Sequence, residues 1–513
     1  MNQQKRYVLK FGGTSLKGPA EILQSVSIVV SYTKKNGSCV VVCSAQGDTT
    51  DHLVRAIDLC KSGNIEEAKK VISEIRYSHE LALDEVVGGY TLREETRRWA
   101  QQRFDEIDKA LLGISLLKDL SPRSLDFVLS FGERLSTYIM DKALASAGVK
   151  RKWLTGGEAG IVTDDNYGAA EPIKAATREK IRLNLLPLLK AGFTAVVTGY
   201  IAETEDSHEI ITLGRGGSDY SATLIGAAID ADEIVLFTDV DGILSADPKV
   251  VKDAKIIGQI TYLEAMEMSA FGAKAMQPRA LEPVAEKGIP VRIKNTFAPE
   301  KEGTLILSQK DIVNGYPKNG VKSIGSLSGL AIVGISGQSI VGQPGTAVKI
   351  FEILKELEVG ILMMSQSVSE NNVSLVIKKS SLPKVLRAFR SQLLLENVDS
   401  SSSSSKNGTS SKKPKSDEKK RNAYTGDGAN LRFHKIEFED DVSIVAVLGR
   451  GMIGTPGIAG RVFSTVAKHG INIRMIAQGS SEINISFVIK EKERSRAVLA
   501  LHEEFSLGKR NHD

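Results

Sequence analysis

A block of sequence near the end of the chain occurs twice, and no other feature constrains the fold as strongly. Pro344-Gly345 returns as Pro456-Gly457, 112 residues later. At the same spacing Ile332 matches Ile444, Gly342 matches Gly454, Gln366 matches Gln478 and Glu370 matches Glu482. The run Val373–Ile377 meets Ile485–Ile489 without a gap. Each copy reads strand, glycine-rich turn, helix, strand, strand, helix, a supersecondary unit used twice. The first copy can close with Phe433–Phe438 as a fourth strand. The second ends at Glu504-Phe505 with a short polar tail and lacks one. Gly303–Leu307, just before the first copy, is therefore expected to pair into the second, which inserts one module within the other.

The first 300 residues follow a different rule. Strand-like runs at Tyr7–Phe11, Cys39–Ser44, Thr194–Gly199, Glu233–Thr238 and Ile289–Lys294 alternate with helical patterns such as Ile22/Val26/Val29/Val30. A second helical pattern, Leu125/Val128/Leu129/Leu135/Ile139, lies between Ser124 and Leu144. That alternation predicts an α/β unit with a largely parallel sheet covered on both faces. Lys61 to Leu120 is charged and helical, an excursion from the sheet.

At 513 residues the chain has room for three or four domains. No run of 18 apolar residues predicts a transmembrane helix, and no membrane partner is expected. Met1-Asn2-Gln3-Gln4-Lys5-Arg6 enters a strand directly, without the apolar core of a secretory signal. Cys39, Cys43 and Cys60 have no metal spacing, and an odd count argues against a disulfide framework, so a reducing cytoplasm is expected. The net charge of +5 is local: Asp399 to Arg421 carries seven Lys/Arg against three acids. The remainder is close to neutral, without a nucleic-acid footprint. This segment, with Ser400–Ser405 and the Ser/Lys/Gly stretch to about Asn430, is too polar to bury a core and is expected to be disordered.

Chemistry begins at Lys10-Phe11-Gly12-Gly13-Thr14-Ser15. Gly12 and Gly13 let backbone N–H groups approach a ligand at a strand end, and Lys10 adds a compact cation there. This suits phosphate, although a glycine pair after a strand is more often only a tight turn. It is neither a Walker loop nor a G-x-G-x-x-G fingerprint. Thr212-Leu213-Gly214-Arg215-Gly216-Gly217-Ser218-Asp219 places a guanidinium among three glycines ahead of a helix, suited to bidentate capture of a carboxylate or phosphate. Thr238-Asp239-Val240-Asp241-Gly242 follows a strand, where acids suit ribose hydroxyls or a metal-bound polyphosphate; an ordinary turn is the plainer reading. Ser44 to Thr50 leaves another strand end, with Thr50 at an expected helix N-cap. Gly132-Glu133-Arg134 puts a glycine in mid-helix at a cost of about 1 kcal/mol, a sign of close approach by a ligand or another backbone. Phe271-Gly272-Ala273-Lys274 offers a second lysine, which solvation alone also explains.

In this order, Lys-Phe-Gly-Gly-Thr-Ser, Gly-Glu-Arg-Leu-Ser, Gly-Arg-Gly-Gly-Ser-Asp, Thr-Asp-Val-Asp-Gly-Ile and Phe-Gly-Ala-Lys make the chain resemble the aspartokinase family over nearly its whole length. The resemblance implies an α/β amino-acid-kinase (carbamate-kinase-like) αβα sandwich followed by two ACT modules of βαββαβ topology. It divides the chain into a catalytic domain (1–302), a first ACT module (303–398), the Ser/Lys-rich insert (399–430) and a second ACT module (431–513). It implies catalytic roles for Lys10 and Asp219, aspartate binding by Ser44, Thr50, Glu133, Arg215 and Ser218, and nucleotide binding by Lys10, Gly12, Gly13, Thr238, Asp239, Leu244, Lys249 and Lys274. Three places depart from the commoner pattern. Asp51 stands for asparagine, Leu244 for a frequent tyrosine, and Met276-Gln277-Pro278 for Leu-His-Pro; Leu244 offers no ring to a nucleotide.

The implied activity is ATP- and Mg²⁺-dependent phosphorylation of L-aspartate to 4-phospho-L-aspartate, the first step towards lysine, threonine and methionine. A carboxylate nucleophile of ordinary pKa near 3.9 is already ionised at neutral pH and needs no general base. Catalysis then falls to positioning and to cations where charge builds, so Asp219 is expected to orient Lys10 rather than to abstract a proton. Feedback by an end product, threonine first, is expected. The implied effector positions are Gly342, Pro344, Gly345, Thr346, Gln366, Asn371, Asn372 and Gln478, with helices beginning at Pro344 and Pro456 and module pairing in a homodimer or larger homo-oligomer. The rivals are another kinase of this fold, acting on acetylglutamate, glutamate, carbamate or UMP, and a catalytically silent amino-acid sensor. No fused homoserine dehydrogenase is expected after the second module.

Overall fold

Apolar runs that are buried from end to end decide the centre of the molecule. In the computed structural model all five residues of Cys39–Cys43 are buried, and so are all five of Thr194–Thr198. Only a strand covered on both faces reads this way. The structure describes residues 5–36, 38–272, 276–312, 320–336, 346–366, 372–393, 435–479 and 481–508.

Down the first part of the chain the strands are β1 (Tyr7–Phe11), β2 (Cys39–Cys43), β3 (Arg151–Leu154), β4 (Val162–Thr163), β5 (Thr194–Thr198), β6 (Ile201–Thr204), β7 (Ile210–Thr212) and β8 (Glu233–Thr238). Then come β9 (Gln259–Thr261), β10 (Val291–Asn295) and β11 (Thr304–Leu307). The helices over the same stretch are α1 (Pro19–Asn36), α2 (Thr49–Lys61), α3 (Ile65–Val86), α4 (Tyr90–Leu117) and α5 (Pro122–Ser146). They continue with α6 (Gly156–Ala159), α7 (Lys174–Lys190), α8 (Gly217–Ala228), α9 (Tyr262–Ala270) and α10 (Pro278–Lys287).

Eight of these strands form one sheet in the order β3-β5-β2-β1-β8-β10-β11-β9. Helices α1 to α5 cover one face and α7 to α10 the other. The strand order reverses at β1, which pairs in parallel with β2 on one side and β8 on the other. Register aligns their carboxyl ends, with Phe11 level with Cys43 and with Phe237, and Cys43 level with Thr198. Such a switch point opens a crevice for ligands beyond the strand ends. Stacked Phe11 and Phe237 rings, 5.0 Å apart, seal the floor beneath it.

The last third adds β12 (Ser323–Ser336), β13 (Met363–Gln366), β14 (Asn372–Lys378), β15 (Lys435–Leu448), β16 (Met475–Gln478) and β17 (Asn484–Lys490). Its helices are α11 (Thr346–Glu356), α12 (Leu382–Gln392), α13 (Ile458–Lys468) and α14 (Arg494–Glu504). The six strands form a second sheet, β13-β14-β12-β15-β17-β16. Two long strands run through both copies. Leu330–Ser336 of β12 and Lys435–Val442 of β15 serve the first copy, and Ser323–Leu327 with Val442–Leu448 serve the second.

The missing strand of the second copy is thus Ser323–Leu327, not Gly303–Leu307. Thr304–Leu307 instead pairs with β10 and β9 in the eight-stranded sheet, so that unit runs past residue 302. The nesting itself holds, because the second copy's first strand precedes the whole of the first copy. Of the expected closing strand Phe433–Phe438, Lys435–Phe438 begins the much longer β15; Phe433 and His434, like the Ser/Lys-rich insert, lie outside the described residues. Met363 of β13 and Met475 of β16 share one buried cluster with Leu330, Val376, Val442, Ile444 and Val488, so the two halves of the sheet close on each other. Phe271, just after α9, packs against both this cluster and the core of the eight-stranded sheet.

Candidate active site

Lys10 leaves β1 at the switch point, and its ammonium meets Asp219 Oδ1 at 2.6 Å. Asp219 stands in the first turn of α8. Both side chains are largely screened from water, 13% and 21% exposed, so water weakens their attraction less than it would an exposed pair. The local sequence explains the approach of α8. Gly216, its N-cap, has φ +73 and a Cβ there would lie 2.3 Å from Gln277 Cγ, so only glycine fits. Ser218 follows, buried against Gly199 at the end of β5. Arg215 is exposed at the tip of the turn.

Gly12 N–H donates to Phe237 O at 3.2 Å, tying the glycine pair to the end of β8, next to Thr238. Gly47 N–H donates to Gly13 O at 3.0 Å, which joins the same turn to the β2–α2 loop. Across the crevice, Glu133 of α5 is 4% exposed. Its Oε1 accepts from Ala45 N–H at 3.2 Å, while Oε2 is buried with no hydrogen-bond partner among the described residues. Burial pushes this carboxyl up to about 8 against the pull of the Ala45 amide and the Lys10 charge. The mid-helix glycine beside it is explained: a Cβ on Gly132 would lie 2.9 Å from Ala45 Cβ and 3.7 Å from Thr50 Oγ1. Ser136 Oγ donates to Ser44 O at 2.6 Å and fastens α5 to the same loop. Thr50 is not the N-cap; Asp48 is, because the helix already starts at Thr49.

The structure therefore gathers Lys10, Asp219, Gly12, Gly13, Ser44, Thr50, Glu133, Ser218 and Thr238 around one set of strand ends. Thr238 Oγ1 donates to Asp239 Oδ1 at 3.1 Å at the mouth of β8. Leu244 and Lys249 lie farther along the same segment, where Leu244 bridges Ile256 and Lys249 is exposed. Lys274 is outside the described residues. Among the described residues, no cluster of three or more His, Cys, Asp and Glu side chains is placed to hold a metal ion.

Two residues of the site escaped the sequence. Asp126 of α5, buried, accepts from Thr212 N–H at 3.0 Å, Thr212 Oγ–H at 2.9 Å and Gly168 N–H at 3.3 Å. It anchors the strand that feeds the Arg215 turn to the helix that carries Glu133; an acid among apolar positions was its only signal. Tyr200 takes φ +65 between β5 and β6, and burial pushes its phenol up to about 12. Nothing in a Gly-Tyr pair announces that.

Of the expected effector positions, Gly342, Pro344, Gly345 and Asn371 lie outside the described residues. Thr346 opens α11, and α13 begins at Ile458 with Gly457 as its N-cap, not at Pro456. Gln366 and Gln478 end the equivalent edge strands β13 and β16. Asn372 joins Ser365, Ser374 and Ile473–Ile476 around a cleft of about 460 Å³ between those edges. Among the described residues no helix is long and apolar enough to cross a membrane.

The model of the amino acid kinase family matches residues 5–295, and an ACT domain model matches 333–393 and 445–505. A bifunctional aspartokinase/homoserine dehydrogenase from Zea mays is 31% identical over 507 residues, 98% of this chain and 50% of that protein. The chain thus spans about half the length of the maize relatives it matches. Aspartokinase 1 of Arabidopsis thaliana is 29% identical, covering 97% of this chain and 80% of that one. A crystal structure of E. coli aspartokinase III in complex with aspartate and ADP superposes with a TM-score of 0.75 at 26% identity, over 97% of this chain and 99% of the other. The same enzyme with lysine and aspartate gives 0.74 at 25% identity, over 97% and 99%.

Proposed function

We propose, from the premise that this chain belongs to the amino acid kinase family, that it transfers the γ-phosphoryl group of ATP to the side-chain carboxylate of L-aspartate. The observation that carries this reading is the Lys10–Asp219 pair at the switch point of the sheet, 2.6 Å long and mostly shielded. The E. coli neighbour was solved with aspartate and ADP, which supports the same substrates here.

In this reading Glu133 receives the α-ammonium of aspartate. Its Oε2 is buried without a partner and sits on the α5 side of the crevice, and a buried carboxylate oxygen gains most from a charged donor. Arg215, Ser44, Thr50 and Ser218 complete the amino-acid side. The nucleotide lies beyond β8, at Thr238 and Asp239, with Leu244, Lys249 and Lys274 assigned to it. When bound to the nucleotide, Mg²⁺ neutralises phosphate charge. The attacking carboxylate is already ionised, so no side chain here takes a proton. Lys10, aimed by Asp219, and the Gly12 and Gly13 amides stabilise the charge that builds on the transferring group.

The regulatory reading is an amino-acid effector held by the two ACT copies in a homo-oligomer, with threonine as the effector. The run Ile476–Ser486 resembles threonine-sensitive aspartokinases, and Gln366 and Gln478 take equivalent places in the two copies. The neighbour bound to lysine makes lysine the competing ligand to test. Separate titrations of threonine, lysine and methionine against initial rate decide the matter; inhibition by lysine alone rejects threonine.

A hydroxylamine trap tests the catalytic reading. An acyl phosphate made from aspartate and ATP is captured as the hydroxamate, with none formed from acetylglutamate, glutamate or carbamate. ATP turnover that ignores aspartate overturns it.

A further inference from the structure

The segment that carries Leu244 and Lys249 is built into the second ACT copy as much as into the kinase unit. Ala246 and Val251 are buried in one cluster with Val447, Ile458, Val462 and Phe505 of that copy. Ser245 O accepts from Ile324 N–H of β12 at 2.8 Å. Ser245 Oγ then does two things. It accepts the Lys255 amide at 3.0 Å, closing the segment on itself, and it bonds His502 Nε2 of α14 at 2.9 Å, buried. The kinase sheet fastens the ends of the segment through Thr304, whose Oγ1 accepts from Ile243 N–H at 2.8 Å and donates to Ile257 O at 2.8 Å. Asp253 and Lys255 face the same histidine, and burial holds its ring below the usual imidazole range.

We infer that Ser245 and His502 are a positioning pair, through which the last helix of the second ACT copy sets the segment that contacts the nucleotide. The inference rests on the reading of Leu244 and Lys249 as nucleotide residues. Neither Ser245 nor His502 is among the residues assigned to aspartate or nucleotide. Each acts on where the segment lies, so losing the bond lowers nucleotide affinity and leaves the chemistry and the aspartate side alone. The second copy thereby has a route to ATP affinity that bypasses the first.

The test uses the full-length chain. Ser245→Ala and His502→Leu each remove the bond; His502→Gln keeps a polar group at the reach of Nε2. Calorimetry with Mg·ADP reads affinity directly, and steady-state kinetics give KM for ATP, KM for aspartate and kcat. The Ala and Leu variants are expected to weaken ADP and raise KM for ATP by about tenfold, the loss a buried hydrogen bond brings, with KM for aspartate and kcat retained. The Gln variant is expected to recover most of that loss. Unchanged ADP affinity overturns the inference. So does a fall of kcat and thermal stability with a rise of both KM values that Gln does not restore, because that describes a merely structural contact. If the wild-type chain makes no acyl phosphate from aspartate, the kinase reading fails, whereas ADP calorimetry still reports on the Ser245–His502 bond.

Discussion

The proposed role of Glu133 as the partner of the aspartate ammonium predicts an unusual pH dependence for aspartate binding. Its carboxyl is 4% exposed, accepts one backbone amide and is pushed by burial from 4.5 to about 8. A protonated acid cannot pair with the substrate's ammonium as a carboxylate does, so binding must draw the proton off. With a pKa of about 8, roughly a tenth of the free protein is ionised at pH 7 and about three quarters at pH 8.5. Apparent affinity scales with that competent fraction, so Kd for aspartate should fall about eightfold between pH 7 and pH 8.5. It should rise about tenfold from pH 7 to pH 6 by the same rule. At pH 7 each aspartate that binds releases close to one proton, which calorimetry in two buffers of different ionisation enthalpy counts. Glu133→Gln should flatten the profile and weaken binding at pH 8.5 by the worth of a charge-assisted bond, about 1.5–3 kcal/mol or some 10- to 150-fold. A wild-type Kd that stays flat from pH 6 to 8.5, with no proton released, would refute the assignment of Glu133 to the ammonium group.

Lys10→Met should lower kcat by about 10²–10³-fold, the cost of one lost transition-state donor, with KM for aspartate nearly unchanged. A variant keeping more than about a tenth of wild-type turnover removes Lys10 as a main stabiliser. Arg215→Lys should raise KM for aspartate, because lysine keeps the charge but loses the planar fork; a rise confined to KM for ATP would move Arg215 to the nucleotide. Lys322 Nζ lies 3.0 Å from Glu264 Oε2, at 5% and 0% side-chain exposure. Breaking such a pair strands a buried charge, so Lys322→Met should cost about 3–5 kcal/mol in urea unfolding, and Lys322→Met with Glu264→Gln should recover part of it. A single variant as stable as wild type would mean Glu264 is satisfied by Thr261 and Arg450 alone.

What the sequence discloses, and what it withholds, follows from the range of the interactions. Strands such as Tyr7–Phe11 and Glu233–Thr238 stand where their apolar runs place them, because burial on both faces demands such runs. Gly132 was legible as a close approach, since a mid-helix glycine is costly without one. The Lys10–Asp219 contact spans more than 200 residues and no local pattern encodes it; only the joint resemblance of several motifs brought the two together. Glu133 was legible as an acid beside that glycine, but its raised pKa depends on which atoms surround Oε2, and spacing says nothing of that. The clearest failure, Gly303–Leu307, has the same cause. Counting strands showed correctly that the second copy lacked one. A run of four residues, Thr-Leu-Ile-Leu, has the pattern to fit any open sheet edge. Its partner is chosen by what lies on either side in space: β10 offers an antiparallel edge and β9 a parallel one, and Thr304 Oγ1 receives Ile243 N–H and donates to Ile257 O. Ser323–Leu327 was hidden for the opposite reason. It belongs to one uninterrupted strand with Leu330–Ser336, and the register break between Leu327 and Leu330 that divides it between the two copies exists only once β15 lies alongside.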